Sequence, residues 1–303
     1  MQVIKFKNKS WVELKNPDKR DIELLKKKFK LHPLIFKEFL PPLDYPRIEK
    51  FDDYIFIVLF YPFFDKESYG STPFELDIII SKNYIITSHY KDIVPLKSIF
   101  DKCNLYQEVK KDYFNKGTEE ILYQIIKELL VAYRPKLGKI KKDLDEVERE
   151  IYQQKHKESV KKISLIRREI IGFERTINPQ EIVFKELAKG NNKILRKKYT
   201  PYFHDLLSIY RQTVELLNTN HKTLSALKST NQSLLTNKTN EVIKILTIFS
   251  VIVLPLTLIA GIFGMNTTYF PFWGNLNDFW IILISMGVIT LGMLLLFKYK
   301  KWI

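Results

Sequence analysis

Two long apolar runs near the end of the chain dominate its hydropathy pattern. Residues 245–263 (ILTIFSVIVLPLTLIAGIF) and 279–297 (FWIILISMGVITLGMLLLF) are each 19 residues long and uncharged. As helices rising about 1.5 Å per residue, each would be roughly 28 Å long, the thickness of a bilayer's hydrocarbon core. The pattern predicts two transmembrane helices. Lys238 and Lys244 precede the first run and Lys298, Lys300 and Lys301 follow the second, whereas residues 264–277 between them carry no charge. That asymmetry predicts cytoplasmic N- and C-termini. Trp273 and Trp280 near one surface, and Tyr299 and Trp302 near the other, suit interfacial anchoring.

Ahead of these runs the periodicity is mixed. Residues 1–14 alternate in the manner of two short strands, and residues 17–30 read as a helix with Pro17 in its first turn and Ile22, Leu25 and Phe29 on one face. A second short helix is expected over 32–40, stopped by Pro41 and Pro42. Residues 54–64, 74–81 and 84–88 are rich in β-branched and aromatic side chains and predict strands, the last two joined by a tight hairpin at Lys82 and Asn83. An α+β domain is expected here.

Beyond Gly117 the sequence turns long, charged and helical. Thr118 is the expected N-cap, with Glu119 and Glu120 in the first turn of a helix running to about residue 156 and kinked at Pro135. A second amphipathic helix is expected over 159–188, ended by Gly190, Asn191 and Asn192. From Pro201 there is no Gly or Pro until Pro255, so one helix is expected to run from the soluble region into the first span. Steps of seven give Leu206, Thr213, Asn220, Leu227 and Leu234, flanked by Tyr210, Leu217, Leu224 and Asn231. This apolar seam interrupted by Asn fits a parallel stalk between copies, with buried amides fixing register, or packing on the two preceding helices. The expected segments are an α/β domain over 1–117, antiparallel helices over 118–200, a stalk helix over 201–263, an outer loop over 264–278, and the second span with a basic tail over 279–303.

Composition sharpens this division. The 303 residues carry 49 Lys plus Arg against 34 Asp plus Glu, a net charge of +15, yet from Ile245 onward only Asp278, Lys298, Lys300 and Lys301 are charged. A soluble globular domain does not segregate charge in this way. Residues 1–17 hold no apolar stretch long enough for a secretory signal, so the bulk of the chain is expected to stay where it was made. The single cysteine, Cys103, excludes an intrachain disulfide and a four-cysteine zinc site. His32, His89, His156, His204 and His221 are scattered, without a His-Glu-x-x-His, Gly-x-Ser-x-Gly or Walker pattern. Nothing positions a nucleophile or an acid–base pair, so no enzyme and no resident cofactor are expected. The basic runs at 26–28, 167–168 and 196–198 read as solvated helix faces rather than a nucleic-acid surface.

Polar residues in the first span are ordered. Asn240, Thr247, Ser250 and Thr257 lie 7, 3 and 7 residues apart and share one helical stripe with Leu254, Gly261 and, at the cytoplasmic end, Ile243. Ser and Thr can instead bond back to the preceding turn, or to the Val251 carbonyl that Pro255 leaves without its donor. A stripe bracketed by Asn240 and Asn266 goes beyond such local bonding and points to a water-filled pathway. Two helices cannot enclose a pore, so several copies must meet around an axis; periodicity allows four, five or six. Amide and hydroxyl groups suit an ion that keeps its water, as Mg2+ does.

Gly264-Met265-Asn266 directly after the first of two C-terminal spans, in the context Leu254-Pro255-Leu256-Thr257-Leu258-Ile259-Ala260-Gly261, resembles the CorA magnesium and cobalt channel family. The likeness extends to Thr236-Asn237-Lys238-Thr239-Asn240-Glu241-Val242, to Lys298-Tyr299-Lys300-Lys301-Trp302, and in the N-terminal region to His32-Pro33-Leu34 and Tyr45-Pro46-Arg47-Ile48-Glu49. The resemblance implies a funnel-shaped homopentamer in the cell (inner) membrane, with first spans lining the pore. Gly264, Met265 and Asn266 would form the selectivity filter, Asn266 meeting the hydrated ion at the outer mouth. Asn240 and Thr257 would line the pore, and Ile243, Leu246 and Leu254 would form its hydrophobic constriction. Cytoplasmic Mg2+ bound between subunits by Glu38 and Asp205 would hold the channel shut; without the resemblance both read as exposed acids. Residues 267–277 lack the acidic residues common in the family's outer loop, which weakens attraction at the mouth unless Asp278 substitutes.

The function expected is passive, potential-driven uptake of Mg2+, with Co2+ and Ni2+ as further candidates. A zinc or proton-coupled transporter of the same fold is the nearest alternative, and a membrane-anchored helical scaffold is the alternative of another class.

Overall fold

The computed structural model describes residues 1–39, 45–65, 70–190, 193–265 and 278–302. It opens with the hairpin β1 (Gln2–Phe6) and β2 (Lys9–Lys15), followed by α1 (Lys19–Lys28) and α2 (Pro33–Glu38). Then come β3 (Arg47–Lys50), β4 (Tyr54–Asp65), β5 (Gly70–Ser81) and β6 (Tyr84–His89), and three helices, α3 (Val94–Leu105), α4 (Gln107–Lys116) and α5 (Thr118–Val131). The strands form one sheet in the order β1-β2-β6-β5-β4-β3, antiparallel except where β2 pairs with β6.

Both faces of this sheet are buried, which is why its strands read as continuous apolar runs rather than alternating ones. One face, with Val12, Leu14, Phe56, Val58, Ile79 and Ile86, packs on Ile22 and Leu25 of α1 and Ile35 and Phe36 of α2. On the other, Trp11 meets Phe100 of α3 edge-on at 5.1 Å and donates to the Thr87 hydroxyl at 3.1 Å. Helix α1 begins later than the sequence suggests: Asp18 and Asp21 form a reciprocal capping box, so Pro17 stands before the cap instead of in the first turn.

Next come α6 (Arg134–Tyr152), α7 (His156–Ile177), a 3-10 turn at Asn178–Gln180, α8 (Glu181–Ala188), a second such turn at Lys197–Tyr199, α9 (Thr200–Phe263) and α10 (Asp278–Tyr299). The single kinked helix expected from residue 118 to about 156 is two helices, α5 and α6. They separate at Ala132 and Tyr133 because Pro135, lacking an N–H, is tolerated in a first turn and starts α6. Thr118 is not the N-cap; Gly117 occupies that position at φ 129°, and the Thr118 hydroxyl donates to the Ser81 carbonyl at 2.6 Å. Pro179 likewise divides the helix expected over 159–188 into α7 and α8. Helices α6 and α7 pair along Leu137, Ile140, Leu144, Ile163, Ile166 and Ile170, with Lys162 bridging Glu146 and Glu150 at 2.8 and 2.6 Å. Helix α7 lies on β4 and β5. At Gly172 a Cβ would stand 2.7 Å from that of Ser71, so only glycine permits the approach.

Contacts divide the chain into two units, Met1–Lys228 and Ser229–Ile303. In the first, the seam of α9 packs within the chain. Asn220 Nδ2 donates to the Leu137 carbonyl of α6 at 3.1 Å, Tyr210 donates to the carbonyls of Ile177 and Asn178, and its ring stacks on Phe184 of α8. The Thr213 hydroxyl bonds back to Ile209 at 2.8 Å. Asn220 is therefore not an amide shared between copies: over residues 206–227 the seam follows from packing on the preceding helices.

Candidate ion pathway and candidate metal-binding carboxylates

In the second unit, α9 and α10 expose apolar side chains along their most hydrophobic stretches, whose mean hydropathies are 2.6 and 2.5. Such surfaces are at equilibrium in lipid, not in water. On α9 the partly shielded positions Lys244, Ile248, Ile252, Pro255 and Ile259 recur every three to four residues, as do Ile282, Met286, Thr290, Met293 and Phe297 on α10. These are the faces the two helices turn toward each other, and Lys244 Nζ reaches the Lys301 carbonyl at 3.5 Å.

The polar stripe lies on another face of α9. Taking about 100° per residue, its centre is roughly 140° around the helix from the face that meets α10. Asn240, Ile243, Leu246, Ser250, Leu254, Thr257 and Gly261 are all exposed, and Thr247 at the edge of the stripe is partly shielded. Apart from its chain neighbours and the backbone of its own helix, no described atom lies within 4 Å of where a Gly261 Cβ would be.

The hydroxyls do bond back to the helix. Thr247 donates to Ile243 at 2.8 Å, Ser250 to Leu246 at 2.9 Å, and Thr257 to Val253 and Leu254 at 3.1 and 2.8 Å. None of these bonds reaches the Val251 carbonyl opposite Pro255. Local bonding and a pathway are compatible here, because a hydroxyl that has given its proton to a carbonyl turns outward as an acceptor. Acceptors are what the outward-pointing protons of a cation's water shell require. Ile243, Leu246 and Leu254 place apolar side chains on the same face. At its C-terminal end the Gly264 and Met265 amides close the helix on the Ala260 and Ile262 carbonyls at 2.9 and 3.3 Å. Asn266, the remaining residue of the expected filter, lies outside the described residues with the rest of the loop to Asn277.

The two carboxylates expected to hold a regulatory cation are each held by a neighbour from the same chain. Glu38 at the end of α2 forms an ion pair with Arg47 of β3, whose Nε also lies 3.0 Å from Glu49 and whose guanidinium sits 5.8 Å above the Phe56 ring. Asp205, exposed on α9, accepts a hydrogen bond from the Tyr123 hydroxyl of α5 at 2.8 Å. Their partners lie on different elements. Among the described residues no group of three or more His, Cys, Asp or Glu side chains is placed to hold a metal ion within one chain.

Three features escape sequence reasoning. Arg47 and Tyr123 are ordinary residues by local pattern, and Tyr123 stands 82 positions from the carboxylate it contacts. The third is the buried pair Glu75 and Asp77 on β5; burial, reinforced by the Glu75 carboxylate, holds the Asp77 carboxyl well above the usual carboxylate range. Alternation along β5 places both on one face, but nothing local says that this face is buried at its charged end.

Comparisons with known proteins agree with this architecture. The family described as "CorA-like Mg2+ transporter protein" matches residues 7–300. The chain is 30% identical to the cobalt/magnesium transport protein CorA of Thermotoga maritima over 99% of its own length and 86% of that protein. Its fold matches the complete structure of the CorA magnesium transporter from Methanocaldococcus jannaschii with a TM-score of 0.85 at 25% identity, covering 100% of this chain and 95% of the other. The full-length CmaX structure shares the fold alone, with a TM-score of 0.75 at 16% identity over 97% and 89% of the two chains. An α+β N-terminal domain, a long helix, two apolar C-terminal helices and a family match over nearly the whole chain converge: this protein belongs to the CorA-like Mg2+ transporter family and is a membrane transporter of divalent cations, not an enzyme.

Proposed function

We propose that this protein is a passive channel through which Mg2+ chiefly, and Co2+ and Ni2+ as further permeants, enter the cell down the membrane potential. The observation that supports this most is the face of α9 that carries Asn240, Ser250, Thr257 and Gly261 away from α10. A helix pair offering lipid-compatible surface on one side and a row of acceptors on another is half a pore wall. Several copies arranged around an axis complete it, and by likeness to the family the number is five. The termini lie in the cytoplasm, on the side of Lys238, Lys244, Lys298, Lys300 and Lys301.

Mg2+ loses its water reluctantly, so hydroxyl and amide acceptors bind the hydrated ion through its shell. Asn266 serves as the filter at the outer mouth, and Ile243, Leu246 and Leu254 close the cytoplasmic half when no ion passes. The driving force is about 2.3 kcal/mol per charge per 100 mV, hence roughly 4.6 kcal/mol for a divalent ion. That sustains about a thousandfold concentration ratio without ATP or a coupled ion.

Regulation follows from linkage. A cytoplasmic Mg2+ held between Glu38 of one subunit and Asp205 of the next stabilises the closed arrangement, and its loss as the ion becomes scarce releases it. Because Arg47 already neutralises Glu38 in the single chain, such an ion competes with an internal cation. Reconstituted protein should pass Mg2+ and Co2+ without a proton gradient. Flux of Zn2+ alone, or flux that requires a proton gradient, would replace the channel with a coupled transporter of the same fold.

A further inference from the structure

The hydrogen bond from Tyr123 to Asp205 joins α5, which packs on the sheet, to α9, which continues toward the membrane. Asp205 is exposed, and an exposed carboxylate on a helix samples several rotamers. Tyr123 does not share that freedom. Its ring is 6% exposed, meets Tyr202 edge-on at 5.2 Å and 78°, and lies under the Lys127 ammonium at 5.3 Å. A buried ring held by these two neighbours delivers its hydroxyl to one place, 2.8 Å from Asp205 Oδ2.

We propose that Tyr123 is the positioning residue of the inhibitory Mg2+ site, holding Asp205 by Oδ2 so that its other oxygen is presented to the cation in a fixed direction; this rests on the reading of Asp205 as a regulatory ligand. A phenol that donates to a carboxylate forms one of the stronger neutral-to-charged hydrogen bonds. With the carboxylate already oriented, the cation does not have to freeze it. Outer partners of this kind typically change metal affinity 10- to 100-fold. The same bond gives the ion a mechanical consequence: a cation that pulls on Asp205 pulls on α5.

The test uses full-length protein and Mg2+ itself, with two readouts: the Mg2+ concentration that half-inhibits flux from the cytoplasmic face, and the concentration that half-protects the protein from limited proteolysis. Tyr123→Phe keeps the ring and its packing and deletes the hydroxyl that donates to Asp205 and meets Lys127. It should move both midpoints upward by about tenfold or more, with melting in the absence of Mg2+ close to that of the native chain. Asp205→Asn should abolish the response in both readouts. Loss of the response in Asp205→Asn with unmoved midpoints in Tyr123→Phe would overturn the positioning role while leaving the regulatory site intact. An unchanged response in Asp205→Asn would overturn the regulatory assignment itself, and the positioning role with it. A shift of flux inhibition alone, with protection unmoved, would place the effect on the pore and contradict the proposal.

Discussion

Gly117 and Arg196 show how little freedom a single position can have. Gly117 sits at φ 129°, and a Cβ there would fall 2.2 Å from Arg196 Nη2 and 2.5 Å from Glu119 Oε2. Those atoms are occupied: the Arg196 Nε and Nη2 grip Glu119 at 2.6 and 2.8 Å, and Nη2 also donates to the Lys116 carbonyl at 2.5 Å. Gly117→Ala is expected to destabilise the protein by about 1–3 kcal/mol from backbone strain, with disruption of this bidentate pair in addition, read as a lower melting temperature in detergent. A second residue-level expectation concerns Asp77. Its carboxyl is raised in the folded protein, so the fold binds the proton more tightly than the unfolded chain does. That contribution to stability is complete below the ordinary carboxylate range and is lost as pH rises through the raised one. Asp77→Asn should therefore raise the melting temperature near neutral pH and flatten its fall with pH; a lower melting temperature at pH 7 would contradict the assignment.

Among the elements, α9 carries the functional claim and is open to a direct probe. Cys103, the only cysteine, is buried with its thiol pushed up to about 12, so the native chain is a quiet background for thiol reagents. Cysteines introduced at Ser250 and Thr257 should react with a water-soluble reagent about tenfold or more faster than cysteines at Ile248 and Ile252, on the face toward α10. Equal rates would remove the pathway from this face. The spans and the stripe are legible in the sequence because hydropathy and the 3.6-residue period are local properties. Other elements are not. The edge strand β3 is four residues, Arg-Ile-Glu-Lys, with no fully buried position to give it a pattern. Helices α3 and α4 bury Leu96, Ile99, Phe100, Cys103 and Phe114 among lysines that blur the amphipathic signal. From its heptad spacing the Asn220 amide reads equally as a contact between copies or as packing on the preceding helices, because its partner, the Leu137 carbonyl, is 83 residues away.

At the scale of the whole molecule, the division of labour is visible in the distribution of charge: a basic part of mixed α+β structure, and a pair of helices that expose apolar side chains. Membership of the transporter family is legible from Gly264-Met265-Asn266 and its flanks, since the motif is contiguous. The partners of the two carboxylates proposed as regulatory are not, because Arg47 and Tyr123 reach Glu38 and Asp205 only through the tertiary fold. The central claim is transport driven by potential through a filter at Asn266. It is tested most directly by Mg2+ entry into dye-loaded liposomes carrying purified protein, with the potential stepped from zero to inward-driving values, for the native chain and for Asn266→Ala. A channel gives entry that rises with the potential in the native protein and is abolished by the substitution. Absence of entry from folded native protein with no Mg2+ inside, or entry indifferent to the potential, would contradict it.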